Sequence, residues 1–423
     1  MMLRNLFYLV FPTFFTSCQK EVAVPLPEVE WDLFHSPDAV PLAGTVHQRM
    51  EGVYAVTEGN EIFGDQVVLK WSGLRNGSDT AFHVSIFCEK NIAYITGEGR
   101  TLNGSILLNN YWRTLSNTET GACWLQMAAS EGADLLANGA PIAENSIIIR
   151  GQFGATGETP SRPIALRYLR PLPPENGFLV LAHRGGGRNA DQLPASENSI
   201  EIIRMAERFG AMGIEIDVKL TSDGVPVLYH DDDLNSRLIQ DVGLYGPINE
   251  YSHAQLDAMV RLVNGEKIPS LRDALNVVVN ETGLAYVWLD VKYEGSLAPI
   301  QALRSEYAQL AGALGRDLTI LIGLPGDEQI ARFKELPGYL DIPSLNEVSV
   351  EKVRETNSNV WGPAWVSGQQ ADLVSVMHAE DRKVFMWTMD LPEYISLYMY
   401  GGDLDGILSN FPTLVAYYHY ARP

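Results

Sequence analysis

Positive charge is what this chain is shortest of. Against 52 Asp and Glu it carries only 31 Lys and Arg, a formal net charge of −21 over 423 residues. A nucleic-acid backbone is held by an excess of cations, so this balance argues against nucleic acid as a partner and against charge-driven adhesion to anionic lipid. Cysteine is scarce too, with only Cys18, Cys88 and Cys123. Neither Cys nor His recurs at the close spacing that favours zinc. Repeats, low-complexity tracts and a GxGxxG loop are absent. Beyond the N-terminal segment no apolar run is long enough to cross a bilayer. What remains is a globular composition, 46% hydrophobic and 20% charged, in a chain too long for one ordinary domain.

The first segment, MMLRNLFYLVFPTFFTSCQK, has one early cation (Arg4), an apolar stretch over 6–15 and small residues before Cys18. That stretch is too short to span a membrane and has the form of a signal h-region. FTSC resembles a bacterial lipobox, in which the cysteine becomes the lipidated first residue of the mature protein. Phe15 stands where Leu is usual, so an uncleaved anchor and plain secretion are the alternatives. The expectation is a lipoprotein held in a bacterial cell envelope (periplasmic or outer-membrane face) by lipid on Cys18, with residues 1–18 as its signal. Cys88 and Cys123 would then lie outside the reducing cytosol, either as one disulfide or as two buried thiols.

Two rhythms follow. Residues 28–170 show short β-type runs such as DQVVLKW, AFHVSIFC and SIIIRGQFG, split by Gly, Asn and Ser. This spacing predicts a β-rich accessory domain, barrel or sandwich, with no clear helix and no catalytic constellation. A barrel of this kind could enclose a small-molecule cavity. His35, His47 and His83 read as ordinary core or surface residues. PLPP opens a stiff linker, 171–177. From 178 to 423, buried-strand patterns alternate with amphipathic helical ones, the signature of βα units and a parallel sheet. The strand candidates are FLVLAHR, MGIEIDV, VPVLYHD, YVWLDVK, LTILIGL, IPSLNEV, NVWGPAWV, VFMWTMD and LDGILSN. About 250 such residues is the usual size of a (β/α)8, TIM-type barrel.

One strand carries an oddity. In GIEIDV, Glu215 and Asp217 are two residues apart and share a face, with Ile214, Ile216 and Val218 on the other. Two like charges ~7 Å apart repel by roughly 2 kcal/mol at an effective dielectric near 20. A barrel's chemistry sits at the C-terminal ends of its strands. Those ends carry His183 and Arg184, then Glu215 and Asp217, then His230, then Asp290 and Lys292. A divalent cation among Glu215, Asp217 and Asp290 would turn repulsion into attraction, and carboxylate oxygens are what Mg²⁺ and Ca²⁺ require. The structural alternative is an ion-pair network with Arg184, Lys219 and Lys292.

The ordered set AHRGGG, SENS, GIEIDVKLTSDGVPVLYHD, KIPSLRDAL, VWLDVK and MWTMD…DLDGILSNFP resembles the glycerophosphodiester phosphodiesterase family, within the phosphatidylinositol-phospholipase-C-like barrels, over roughly 178–412. The resemblance implies a TIM barrel and hydrolysis of glycerophosphodiesters to glycerol 3-phosphate and an alcohol. It assigns His183 and His230 to acid–base catalysis, Glu215 and Asp217 to the metal, and Arg184 and Lys292 to the substrate phosphate. It implies that one His deprotonates the adjacent glycerol hydroxyl and the other protonates the leaving alcohol, giving a cyclic phosphate that water opens; which does which is left open. Asp290 falls where the family usually has Glu, and the shorter side chain favours Ca²⁺ over Mg²⁺.

Glycines 185–187 are expected to let their loop approach the phosphate. Glu197 is read as orienting His183 or a loop, and Trp387 as a wall of the pocket or part of the barrel core. Asp231 to Asp233 read as a solvated loop that helps orient His230. His253 and His378 fall on helical patterns and His419 in the C-terminal tail, all three structural or surface residues. Asp290-x-Lys292 also looks like the related sphingomyelinase D enzymes, so a phospholipase-D-like lyase on intact lipids is the first alternative. A non-catalytic envelope binding protein is the second.

Overall fold

The computed structural model describes Pro27, Glu30 and residues 31–241 and 243–422. The Cys18 segment lies outside them. No helix among the described residues is long and apolar enough to cross a membrane.

The β-rich part is a closed barrel. Its eight strands run Gly52–Glu58, Gln66–Asn76, Asp79–Cys88, Ala93–Leu102, Ser105–Thr114, Thr120–Met127, Ile148–Phe153 and Arg162–Arg170. Each pairs antiparallel with the next, and the last returns to the first, so the ring has no free edge. Inward side chains fill it: Phe63, Trp112 and Phe153 meet edge to face at 5.0–5.8 Å. Cys88 and Cys123 belong to this core as free thiols, so the disulfide alternative does not hold. Of three short helices that the residue pattern did not reveal, Gly44–Met50 precedes the meander and Asn60–Phe63 and Ala133–Ala137 interrupt it. Each spans two turns or fewer, too short for a 3.6-residue period to declare itself.

Residues 171–177 carry no regular structure, and the parallel barrel follows. Its strands are Leu179–Ala182, Gly213–Leu220, Tyr286–Val291, Thr319–Leu324, Ser344–Asn346, Val360–Trp361, Lys383–Met386 and Gly406–Ser409, and the eighth closes on the first. Leu179, Leu181, Trp288, Leu321, Leu345, Phe385 and Leu408 fill the interior. Outward residues such as Ile214, Ile216 and Val287 pack on the helices. Serines begin several of these helices by accepting a backbone N–H, as Ser199 does from Ile202 at 3.1 Å and Ser270 from Asp273 at 3.1 Å.

The segment VPVLYHD is not a barrel strand. Pro226–Leu228 pairs antiparallel with the end of Gly213–Leu220. Only residues 221–225 separate the two, far fewer than a parallel crossover needs. The chain then makes an excursion, with helix His253–Met259, around its own apolar cluster of Tyr229, Leu234, Leu238, Ile248, Leu256 and neighbours. His378 lies on helix Ala371–Ala379, and His419 lies on helix Pro412–Ala421 rather than in an irregular tail.

The two barrels pack side by side. Tyr94 and Leu115 of the first join Ile203 and Phe209 of the second, and Val53, Val68 and Phe87 join the C-terminal helix. Across this seam Arg208 Nη2 donates to His83 Nε2 at 2.7 Å, so the ring is neutral. Burial first, then the Arg208 charge, pushes His83 down to about 4. Burial likewise pushes His419 down to about 3. A folded-state pKa below the unfolded value means that protonation favours the unfolded chain. Stability is therefore complete above about pH 6.5 and falls as pH drops toward 4, with His83 contributing roughly 3 kcal/mol. Denaturant titrations at pH 7 and pH 4.5 should show this loss, and His83→Gln, which keeps an acceptor for Arg208, should flatten it. An equally steep loss in the variant would remove His83 from the account.

Candidate active site

Strand alternation and register build the site. Glu215 and Asp217 both point into the barrel mouth, above Gly213, where any Cβ would meet Leu181 and Tyr286 at 2.7–2.8 Å. Asp217 and Asp290 are register partners on adjacent strands, which brings the third carboxylate in. All three are buried, at 1%, 0% and 8% exposure. One oxygen from each lies within 4.8 Å of the others. Glu215 Oε1, Asp217 Oδ1 and Asp290 Oδ1 make no hydrogen bond. Three buried carboxylates, each with an oxygen that lacks a donor and each offering an oxygen to one small cluster, fit a hard divalent cation held by Glu215, Asp217 and Asp290.

Electrostatics agree with that reading. Burial, then Asp217 and Asp290, hold Glu215 well above the usual carboxylate range. Burial also raises Asp290, against Lys292. For Asp217 burial is outweighed by Lys292, His230, His183 and Arg184, and its pKa is lowered. Lys292 Nζ sits 2.5 Å from Asp290 Oδ2 and 3.6 Å from Asp217 Oδ1. Its own burial would lower it, but the three acids outweigh that and raise it. The ion-pair network expected as an alternative is therefore present in part, with Lys292 and Arg184 but without Lys219. Lys219 instead pairs with Asp232, whose side chain is exposed as a solvated loop residue's would be.

Ala182 pairs with both Ile214 and Ser409, so the next residue, His183, stands level with Glu215 on one side and Asn410 on the other. Asn410 Nδ2 donates to Asp390 at 2.6 Å, which turns its Oδ1 toward His183 Nδ1 at 2.6 Å. Nδ1 is then the donor, and Nε2 is free, 3.7 Å from Glu215 Oε2. Burial pushes His183 down to about 4, keeping it neutral at pH 7. His230 reaches the mouth because its strand runs back alongside Val218, with Tyr229 N donating to the Asp217 carbonyl at 3.1 Å. Its Nδ1 donates to Asp231 Oδ1 at 2.7 Å. Asp231 is tied down by Arg237 and Asn235, which, despite the cost of burial, hold its carboxyl well below the usual range.

Arg184 has φ +53, a left-handed conformation held by its N–H to Glu215 Oε2 (2.8 Å) and its carbonyl to Asn198 N (2.9 Å). Its guanidinium meets Glu197 at 2.7 Å and lies 3.8 Å from Asp217. Glu197 therefore orients Arg184 and, with Arg237 and Asn189, the loop; it does not reach His183. The glycines are closely packed: a Cβ on Gly186 would lie 2.5 Å from Ile202, and one on Gly187 2.5 Å from Leu193. Trp387 is half-buried at the interior cluster, its Nε1 donating to Gly362 at 2.7 Å.

The sequence reading gave no role to Asn198, Arg237, Glu347, Asp390 or Asn410. Asn198 Nδ2 donates to Asp217 Oδ2 at 2.8 Å while its own Oδ1 accepts from Asp217 N. Glu347 follows the fifth strand, has an unpartnered buried Oε1, and is raised by burial and by Asp290. Asn198, Asp390 and Asn410 lay inside quoted motifs and Glu347 at the end of the strand candidate IPSLNEV; nothing local singled out Arg237.

The family model for glycerophosphoryl diester phosphodiesterases matches residues 183–293, which contain His183, Arg184, Glu215, Asp217, His230, Asp290 and Lys292. The glycerophosphodiester phosphodiesterase of Caldanaerobacter subterraneus subsp. tengcongensis is 34% identical over 245 residues, 56% of this chain and 96% of that one. The chain belongs to the glycerophosphodiester phosphodiesterase family. Glycerophosphodiester phosphodiesterase 1 of Homo sapiens is 34% identical over 148 residues, 34% of this chain and 42% of its own length. The mouse form matches over 50% of its length, so the chain spans half or less of these mammalian family members. A crystal structure of a family member from Parabacteroides distasonis aligns with a TM-score of 0.47 and 21% identity, over 59% of this chain and 99% of that one.

Proposed function

We propose that this chain hydrolyses glycerophosphodiesters to glycerol 3-phosphate and the free alcohol, with Ca²⁺ or Mg²⁺ as cofactor. The observation that carries the reading is the convergence of three buried carboxylates, each with an orphaned oxygen, between two imidazoles whose Nε2 atoms are free. Bound by Glu215, Asp217 and Asp290, a divalent cation would act as a Lewis acid toward the phosphate oxygens. Arg184 and Lys292 add fixed positive charge at the same mouth, complementary to charge that builds on the phosphoryl group.

The hydrogen bonds support separate roles for the histidines. His183, neutral and with Nε2 free, takes the proton of the glycerol hydroxyl next to the phosphate. That oxygen attacks phosphorus, and the bond to the alcohol breaks. His230, held through Nδ1 by Asp231, gives a proton to the departing alkoxide. Water then opens the cyclic phosphate with the two roles reversed. Release of glycerol 3-phosphate from a panel of water-soluble glycerophosphodiesters, with and without chelator, tests this; no metal-dependent turnover on any of them would defeat it, and would favour a non-catalytic binding protein.

The Asp290–Lys292 pair supports a second reading, a phospholipase-D-like lyase. Cyclic product from micellar phospholipid, with inert deacylated substrates, would decide for it. Residues 1–18 support attachment to a bacterial envelope by lipid on Cys18, since two or more acyl chains give stable anchoring. The protein should partition into detergent, and Cys18→Ala should release it. A fully soluble wild-type protein whose N-terminus lies elsewhere would end that idea.

A further inference from the structure

The seam between the barrels holds a second concentration of positive charge, remote in role from the phosphodiesterase mouth. Arg113 lies on strand Ser105–Thr114 and is the register partner of Tyr94, with Tyr111 two residues back on the same outer face. Arg113 is completely buried, and its Nε, Nη1 and Nη2 all lack a hydrogen-bond partner. From the facing turn Ala206–Phe209 comes Arg208, which spends one nitrogen on His83 and leaves a buried Nε without a partner. Tyr94 and Tyr111 pack beside Arg113, their rings 6.1 Å apart, and beyond each other their hydroxyls have no partner. Both guanidinium groups act electrostatically on the Tyr111 hydroxyl. Phe209, 5.7 Å from Tyr94, closes the apolar side.

Among the described residues no carboxylate forms an ion pair with either arginine; Glu98, the acid that acts on Arg208, is exposed. A buried lysine could shed its proton, but arginine does not. An unpaired buried guanidinium is among the least favourable groups a protein interior can hold. Water would satisfy the N–H groups but not the charge. Two guanidinium edges and two phenol hydroxyls, all donors, match the several acceptors of a tetrahedral oxyanion. We propose that the seam binds one small oxyanion of the phosphate or sulfate class, gripped by Arg113, Arg208 and the hydroxyls of Tyr94 and Tyr111, and that this ion ties the β-barrel to the catalytic barrel.

The test uses the full chain. Thermal unfolding in sodium phosphate is compared with sodium gluconate at matched ionic strength, for wild type and for Arg113→Met, which keeps bulk and removes charge. Phosphate should raise the wild-type Tm by roughly 3–5 °C more than it raises that of the variant, because it binds the native state alone. Equal shifts would overturn the proposal, since generic stabilisation by excluded salts acts on both proteins alike. So would an Arg113-dependent shift seen with chloride and not with phosphate. Should Arg113→Met fail to fold, wild-type protein purified without phosphate or sulfate is denatured and its released anions are measured by ion chromatography. Stoichiometric oxyanion supports the site, and none overturns it.

Discussion

His183→Ala and His230→Ala should each lower kcat on a good glycerophosphodiester by about 10²–10⁴-fold, the usual contribution of a positioned acid or base. Neither change should alter the melting temperature much. Both side chains sit at the open mouth, partly exposed, and neither belongs to an apolar cluster. The relay behind His183 gives a finer test. Asp390 and Asn410 orient its ring through Nδ1, so Asn410→Leu should depress kcat with the imidazole still present, by freeing the wrong tautomer. On the other side, Asp231→Asn removes the carboxylate that steadies His230 and should act mainly on the leaving-group step. Substrates whose alcohol leaves easily should therefore suffer less from His230→Ala than from His183→Ala. Near-wild-type kcat in either alanine variant would take that histidine out of the mechanism.

Asp290→Asn should raise the half-saturating concentration of activating metal by about tenfold or more, since even partners behind the ligands commonly account for 10–100-fold in affinity. Its register with Asp217 makes it the ligand supplied by the neighbouring strand. Without it the cation would rest on Glu215 and Asp217 and on water. Added metal should partly restore turnover in the variant. Asp290→Glu should retain substantial activity, because the longer side chain matches the residue most of the family uses at this point. The missing methylene in the native protein favours an ion that tolerates longer and less regular coordination, so Ca²⁺ should support at least as much activity as Mg²⁺. Glu347, whose free oxygen shares the electrostatics of Asp290, offers a further carboxylate from the fifth strand. A metal titration of activity for the three proteins is decisive. The same half-saturating concentration in wild type and Asp290→Asn would show that Asp290 is not a ligand.

The residue order by itself determined a β-rich part, barrel or sandwich, followed by a parallel βα barrel, and the shared face of Glu215 and Asp217. Both follow from local periodicity: β-runs cut by turn residues in one part, strands alternating with helices in the other, and a period of two within GIEIDV. It also placed His183, Arg184, Asp290 and Lys292 at strand ends. What it could not determine was anything that depends on register or on return of the chain. VPVLYHD has a buried strand's composition, and only the short connection before it, seen in three dimensions, makes it an antiparallel flap that swings His230 against Asp217. Asp390, Asn410 and Glu347 come from strands far along the chain, and the closing pair Ala182 with Ser409 is what sets Asn410 beside His183. Arg237 reaches Glu197 and Asp231 through a loop with no pattern of its own. The packing of the barrels, with two arginines buried between them, leaves no trace in periodicity either. Local pattern reports which face a residue takes; which residues meet across that face is decided by closure of the sheet.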